Sequence, residues 1–133
     1  MEEYIGAKSG KNDMTTTIVI AEDDCIIRML VVDLLLDAGF KVIEALHAKD
    51  ALDILEVQFQ DIHMLFTDIH MPGQMNGLAL AHHVKNHWPK IALLVTSGGH
   101  WPRRTDLPEG SRFLLKPYNF RQLINHIQNL IAT

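Results

Sequence analysis

Four short apolar runs in this chain each stop at residues that can do chemistry. Thr17-Ile18-Val19-Ile20-Ala21 stops at Glu22-Asp23-Asp24. Met64-Leu65-Phe66-Thr67 stops at Asp68, with the turn-prone His70-Met71-Pro72-Gly73 close behind. Ile91 to Val95 stops at Thr96-Ser97-Gly98-Gly99, and Phe113-Leu114-Leu115 stops at Lys116-Pro117. Taken singly, each has a local explanation; an aspartate before a Pro-Gly turn commonly caps that turn. Taken together they form a reactive set. Crowded carboxylates raise one another's pKa values, and a hard divalent cation removes that conflict. Oxygen-only ligands with open positions suit Mg²⁺. A lysine supplies a mobile positive charge to a phosphoryl oxygen, a hydroxyl a hydrogen bond to another. A carboxylate nucleophile can carry the phosphoryl group as an acyl phosphate. The chemistry implied is in-line phosphoryl transfer, where positioning and charge neutralisation supply most of the rate.

For these residues to meet, the runs must be parallel strands with their ends at one sheet edge. The β-branched run 17–21 reads as a strand buried on both faces. Ile27, Leu30, Val31, Leu34, Leu35 and Ala38 then recur at helical spacing, and Gly39 stops that helix. Phe40 to Glu44 predicts a short strand, less apolar and so nearer a sheet edge. Ala48, Ala51, Leu52 and Leu55 mark a second helix. After the Asp68 strand, Gly77 to Trp88 carries Leu80, Ala81, Val84 and Trp88 on one face and stops at Pro89. Residues 100–111 hold two prolines, a glycine and no apolar stripe, which argues against a regular helix. Phe120, Leu123, Ile124, Ile127 and Ile131 form the inner face of a last helix, with Asn119 its N-cap. Five strands alternating with helices imply an α/β fold with a parallel sheet and right-handed crossovers. In such a sheet, ligands sit outside the carboxyl ends of the strands.

Composition narrows the partners. The 133 residues fit one domain, here a flexible tail over 1–15 followed by a folded unit over 16–133. A net charge of −4 gives no reason to expect nucleic acid or an anionic membrane. No apolar run approaches the roughly 20 residues that span a bilayer, and no secretory signal is visible. The single cysteine, Cys25, excludes an internal disulfide and suits a reducing cytoplasm. Cys25 itself reads as a semi-buried packing thiol, since adjacent carboxylates disfavour thiolate. His83 and His87 have metal-compatible i, i+4 spacing but lack a third ligand, so a solvated helix face is the simpler reading.

IVIAEDD, TDIHMPG, VTSGG and LLKPY, in this order and spacing, resemble a bacterial two-component response-regulator receiver domain over about residues 16–131. The resemblance implies a flavodoxin-like (βα)5 three-layer sandwich with strand order 2-1-3-4-5. It implies a phosphoacceptor at Asp68, with Glu22 and Asp23 as the acidic pair and Asp24 a surface acid or N-cap. The metal contacts for Mg²⁺ would be Glu22, Asp23, Asp68 and the backbone carbonyl of His70. The phosphate-binding hydroxyl is Thr96 or Ser97; Ser97 is favoured because it precedes a small residue. Lys116 matches the family's lysine, with a cis bond expected to Pro117, and Phe113 its switch aromatic. Phosphorylation would recruit Ser97 and Lys116 and turn Phe113 inward.

The resemblance also implies partners. The donor would be a phosphohistidine on a histidine kinase or histidine phosphotransfer protein, and a downstream protein target would read the switched surface. Such a chain is a cytoplasmic phosphoacceptor that assists its own phosphorylation and dephosphorylation rather than an enzyme. With no output segment visible, it is expected to act as a stand-alone, CheY-like regulator, in direct signalling or a phosphorelay. Two departures stand out: an additional residue and Asn76 in MPGQMNG, and a fourth helix that is short, irregular or missing. Trp101, Arg103 and Arg104 in that region form either a partner patch or a loose basic loop. Two rivals remain. A pseudo-receiver would bind partners without phosphorylation, and an FMN-binding flavodoxin-like protein would need a glycine- and hydroxyl-rich phosphate loop where Glu22-Asp23-Asp24 stand.

Overall fold

A computed structural model of the chain describes residues 15–99 and 101–132. The tail expected over residues 1–15 lies outside the described residues except for Thr15. Five strands, β1 (Thr17–Ala21), β2 (Lys41–Ala45), β3 (Met64–Asp68), β4 (Ala92–Ser97) and β5 (Arg112–Leu115), form one parallel sheet in the order β2-β1-β3-β4-β5. The helices are α1 (Cys25–Asp37), α2 (Ala48–Gln58), α3 (Gly77–His87) and α4 (Phe120–Ile131). The expected flavodoxin-like sandwich and strand order are therefore found. Between β4 and β5 the described residues contain no α-helix, only a 3-10 turn at Arg104–Asp106.

The pleat divides the core in two. Ile18, Ile20, Met64, Phe66 and Leu94 point to one face and pack with Val31 and Leu35 of α1 and Leu123 and Ile127 of α4. Their alternates Val19, Ala21, Leu65, Leu93 and Val95 pack on the other face with Ala51 and Leu55 of α2 and Leu80 and Val84 of α3. Strand β3, in the middle of the sheet, is buried at all five residues. That position explains its unbroken apolar run and leaves Asp68 at the centre of the rim.

Helix ends follow local chemistry. Asp24 caps α1, accepting from the N–H groups of Ile26 and Ile27, and so is a cap rather than a third acid of the site. Asn119 and Gln122 form a reciprocal capping box on α4. Gly39, at φ 96°, takes the left-handed conformation that ends α1.

Three expectations need correction. β2 runs one residue later than Phe40–Glu44, because the α1 C-terminal turn holds Phe40 N–H on the Leu35 carbonyl. Cys25 is exposed at the first position of α1 rather than semi-buried. Leu30 is 61% exposed, because α1 is apolar on both sides and only Val31 and Leu35 face fully inward.

Leu123 and Ile127 carry the inner face of α4, both fully buried against the sheet. Ile127→Ala is expected to lower unfolding free energy by about 2–5 kcal/mol, read by urea denaturation followed by circular dichroism.

Candidate functional site

Four adjacent strands, β1, β3, β4 and β5, each deliver one part of the rim. Ala21 of β1 is in register with Thr67 of β3, so Glu22 lies beside Asp68. Asp68 is in register with Thr96, and Ser97 with Leu115, which places Lys116 one step past the end of β4. The N–H of Lys116 donates to the Ser97 carbonyl at 2.9 Å, and the N–H of Ile69 to the Thr96 carbonyl at 2.9 Å. These bonds extend the ladder past the strand ends and hold the reactive loops together.

The lysine side chain crosses the end of β4 to reach the acids. Its stem lies over Gly98, where a Cβ would meet Lys116 Cβ and Cδ at an ordinary 3.8 Å. Lys116 Nζ donates to Glu22 Oε1 at 2.9 Å and to Asp68 Oδ2 at 3.1 Å. Both carboxylates are buried, Glu22 to 4% exposure and Asp68 to 6%, so these are charge-assisted bonds in a partly desolvated place. Burial raises the Glu22 pKa above its ordinary 4.5, against the opposing pull of Lys116 and the Asp24 N–H; the Asp68 charge adds to the rise. For Lys116 burial pulls downward, but the hydrogen bonds to Glu22 and Asp68 and their charges win, and its pKa lies above 10.5. Burial, helped by the charges of Glu22 and Asp68, also pushes the Tyr118 phenol well above its ordinary 10.0, so it stays neutral.

The remaining partners fix orientation. Glu22 Oε2 accepts from the Asp24 N–H at 3.1 Å. Asp68 Oδ1 is met only by a long 3.4 Å contact from the His70 N–H, leaving it the freer oxygen among the described contacts. Glu22, Asp23 and Asp68 each bring a carboxylate oxygen within 4.8 Å of the others. Three hard oxygen donors at this separation, one of them on the exposed Asp23, fit a small divalent cation. Of the two hydroxyls, Thr96 donates to the Leu114 carbonyl at 2.6 Å. Ser97 Oγ accepts only a long 3.4 Å contact from the Gly99 N–H. The pleat also separates them: Ser97 continues the face of Val95, where Phe113 packs, whereas Thr96 continues the face of Leu94. The Lys116–Pro117 bond is cis, as the resemblance implies.

Two residues were given no role in the sequence reading. Arg28 donates through Nη1 to the Glu22 carbonyl at 2.8 Å and through Nε to Glu44 Oε1 at 3.1 Å, pinning the acidic loop to β2. Its signal was in plain view as the one basic residue of α1. Gly77 opens α3 directly against the Asp68 backbone: its N–H donates to the Ile69 carbonyl at 2.8 Å, and a Cβ there would lie 1.6 Å from the Asp68 carbonyl oxygen. Thr67 Oγ1 donates to that same oxygen at 2.9 Å.

Other conspicuous residues lie outside the cup. His83 and His87 stack at 4.0 Å with no third metal-binding side chain among the described residues. Arg103 pairs with Asp106, and a His82 ring nitrogen lies 2.7 Å from the Asp106 carbonyl, so the 3-10 turn is linked to α3 at that residue. Trp101 rests on Phe113. A cavity of about 820 Å³ opens at the opposite rim beside Phe59 and Trp88, away from all of these acids.

Residues 18–128 match the family model of the response regulator receiver domain. The chain is 30% identical over 117 residues to the response regulator receiver protein CpdR of Brucella abortus, covering 86% of this chain and 95% of that one. It is 27% identical over 136 residues to the sensor kinase CckA of the same organism, but spans only 14% of that protein's length. Among solved structures, a response regulator receiver protein from Sinorhizobium medicae superposes with a TM-score of 0.82 at 26% identity, covering 90% of this chain and 96% of that one. Among the described residues no helix is long and apolar enough to cross a membrane.

The Gly77 contact is backbone against backbone, so no rotamer relieves it. Gly77→Ala is expected to cost at least about 1–3 kcal/mol, measured by denaturation. It is also expected to broaden or shift the Asp68 and Ile69 amide resonances, while those of β2 stay in place.

Proposed function

This chain belongs to the response regulator receiver domain family, and on that premise we propose that Asp68 accepts a phosphoryl group from a phosphohistidine. The single observation that carries the reading is Lys116 Nζ bonded to Asp68 and Glu22 at once, beside a third acid. In the transfer, Asp68 Oδ1 attacks phosphorus as a carboxylate. The new O–P bond forms as the N–P bond to the donor imidazole breaks, and that electron pair returns to the ring nitrogen. Asp68 Oδ1 is the nucleophile because Lys116 holds the other oxygen.

Glu22, Asp23 and Asp68, with the His70 carbonyl, would hold a Mg²⁺ ion, which when bound would supply charge neutralisation to the phosphoryl oxygens. The chain's own residues do the rest. Lys116 moves its ammonium from the carboxylates to a phosphoryl oxygen, and Ser97, whose hydroxyl has the weaker existing contact, donates to another. Phe113, on the face that Ser97 shares, turns toward the space the hydroxyl leaves. The result is a shift between two populations, driven by contacts the phosphoryl group makes in only one of them.

The donor's approach has a physical basis. Ile26, Met29 and Leu30 are exposed on α1, directly after the acidic loop. A continuous apolar face beside the reactive carboxylate suits a helical histidine-bearing partner. A downstream protein would read the face around β5. The FMN reading is disfavoured because Glu22 and Asp23 stand where a phosphate would be repelled, and the pseudo-receiver reading because no member of the phosphoryl-transfer set is missing.

Incubation with acetyl phosphate and Mg²⁺, followed by intact mass, tests the reading. Wild type is expected to gain the mass of one phosphoryl group and Asp68→Asn none. Chelating Mg²⁺ is expected to slow the gain roughly tenfold or more. No gain by wild type would leave the pseudo-receiver reading in possession.

A further inference from the structure

Among the acids of the cup, Asp23 is the exposed one, and none of the described hydrogen bonds holds its carboxylate. An oxygen of that carboxylate nevertheless lies within 4.8 Å of oxygens of Glu22 and Asp68. Glu22 is held through backbone and side chain alike. Its N–H donates to the Ala45 carbonyl at 3.2 Å, its carbonyl accepts from Arg28 Nη1 at 2.8 Å, and its carboxylate meets the Asp24 N–H and Lys116 Nζ. The direction in which Asp23 leaves the main chain is therefore set by the peptide that joins it to Glu22, a rigid plane. Arg28 grips the oxygen of that plane. The guanidinium is itself braced: Nε donates to Glu44 Oε1 at 3.1 Å, and Glu44 stands on β2 in register with Ile20 of β1. A planar fork holds two acceptors in fixed directions, which an ammonium on a flexible stem does less well. The Arg28 side chain is only 12% exposed.

We propose that Arg28 is a positioning residue for cation binding: braced by Glu44, it orients the Glu22–Asp23 peptide so that the Asp23 carboxylate faces the cup, and thereby sets how tightly the cup holds a divalent cation. The inference rests on the reading of Glu22, Asp23 and Asp68 as that cation's ligands. Its signature is the sign of an effect. By charge alone, a guanidinium beside the acidic loop repels a dication, so its removal must tighten binding. By position, its removal frees the Glu22–Asp23 peptide to turn, and ordering Asp23 again costs entropy whenever a cation binds, so binding must weaken. Position outweighs charge here because Glu44 already pairs with the guanidinium and offsets its field. Groups that orient metal ligands are typically worth about 10- to 100-fold in affinity.

Mg²⁺ alone, with no phosphoryl donor, is titrated into the full chain. Binding is followed by calorimetry and by the Asp23 amide resonance, whose N–H shares the plane that Arg28 holds. Arg28→Gln, which removes both charge and fork, is expected to bind Mg²⁺ roughly tenfold more weakly than wild type, with its Asp23 amide shifted before any metal is added. Arg28→Lys, which keeps the charge and one anchoring point, is expected to fall between the two. Lys90→Gln, which removes a positive charge at the opposite rim, is expected to bind no more weakly than wild type. Urea denaturation shows whether Arg28→Gln is folded. If it is not, Arg28→Lys decides: weaker binding with a shifted Asp23 amide supports the inference, and wild-type affinity overturns it. A folded Arg28→Gln that binds Mg²⁺ as tightly as wild type, or more tightly, overturns the inference and leaves the cation reading standing. A wild type that takes up no Mg²⁺ removes both.

Discussion

A single ammonium group, that of Lys116, stands between Glu22 and Asp68, and the chemistry of the rim depends on it. Two buried carboxylates beside one another repel, and burial alone already raises Glu22 above its ordinary pKa. Lys116 makes the pair tolerable by donating to both. It comes from the far side of the sheet, two strands from Asp68, and reaches them only because β4 ends beneath its stem. Parallel strand order, matched strand lengths and the Lys116 N–H bond to Ser97 are thus conditions for the site.

That arrangement is poised rather than finished. The lysine is held by charges that a phosphoryl group would redistribute, the Ser97 hydroxyl has only a long partner, and Asp68 Oδ1 only a long donor. Beside them the backbone is held at three places: Arg28 ties the acidic loop to β2, Asp24 caps α1, and Gly77 abuts the Asp68 backbone. Rigid surroundings around a few loosely satisfied polar atoms are what a site needs if new charge is to be answered without reorganising the whole domain.

Most of this was legible in sequence because a parallel sheet gathers its strand ends. Runs buried on both faces announce themselves by composition, so where Ile18, Phe66 and Leu94 would lie, and with them Asp68 and Glu22, could be read directly. Choosing between Ser97 and Thr96 was harder: adjacent hydroxyls differ only in the face they occupy, and the Thr96 bond to the Leu114 carbonyl leaves no trace in the sequence. What periodicity missed has a common cause. Leu30 follows a helical pattern but faces outward because the apolar residues of α1 extend well beyond its buried stripe of Val31 and Leu35. Phe120 and Ile131, expected on the inner face, are also exposed, at the two ends of α4. Gly77 looks like an ordinary helix start until the Asp68 carbonyl is placed against it. The Trp101–Phe113 contact joins a loop to a strand and leaves no pattern in the chain at all.

The convergence of Lys116 with the acids is most directly tested by titrating its ammonium, using NMR of the side-chain nitrogen with and without the Asp68 charge. The wild-type pKa is expected to lie above 10.5, because the bonds to Glu22 and Asp68 outweigh burial. In Asp68→Asn one of the two charges is gone while burial remains, so the pKa must fall. A Lys116 pKa that does not respond to the loss of Asp68 would place the ammonium elsewhere and contradict the account.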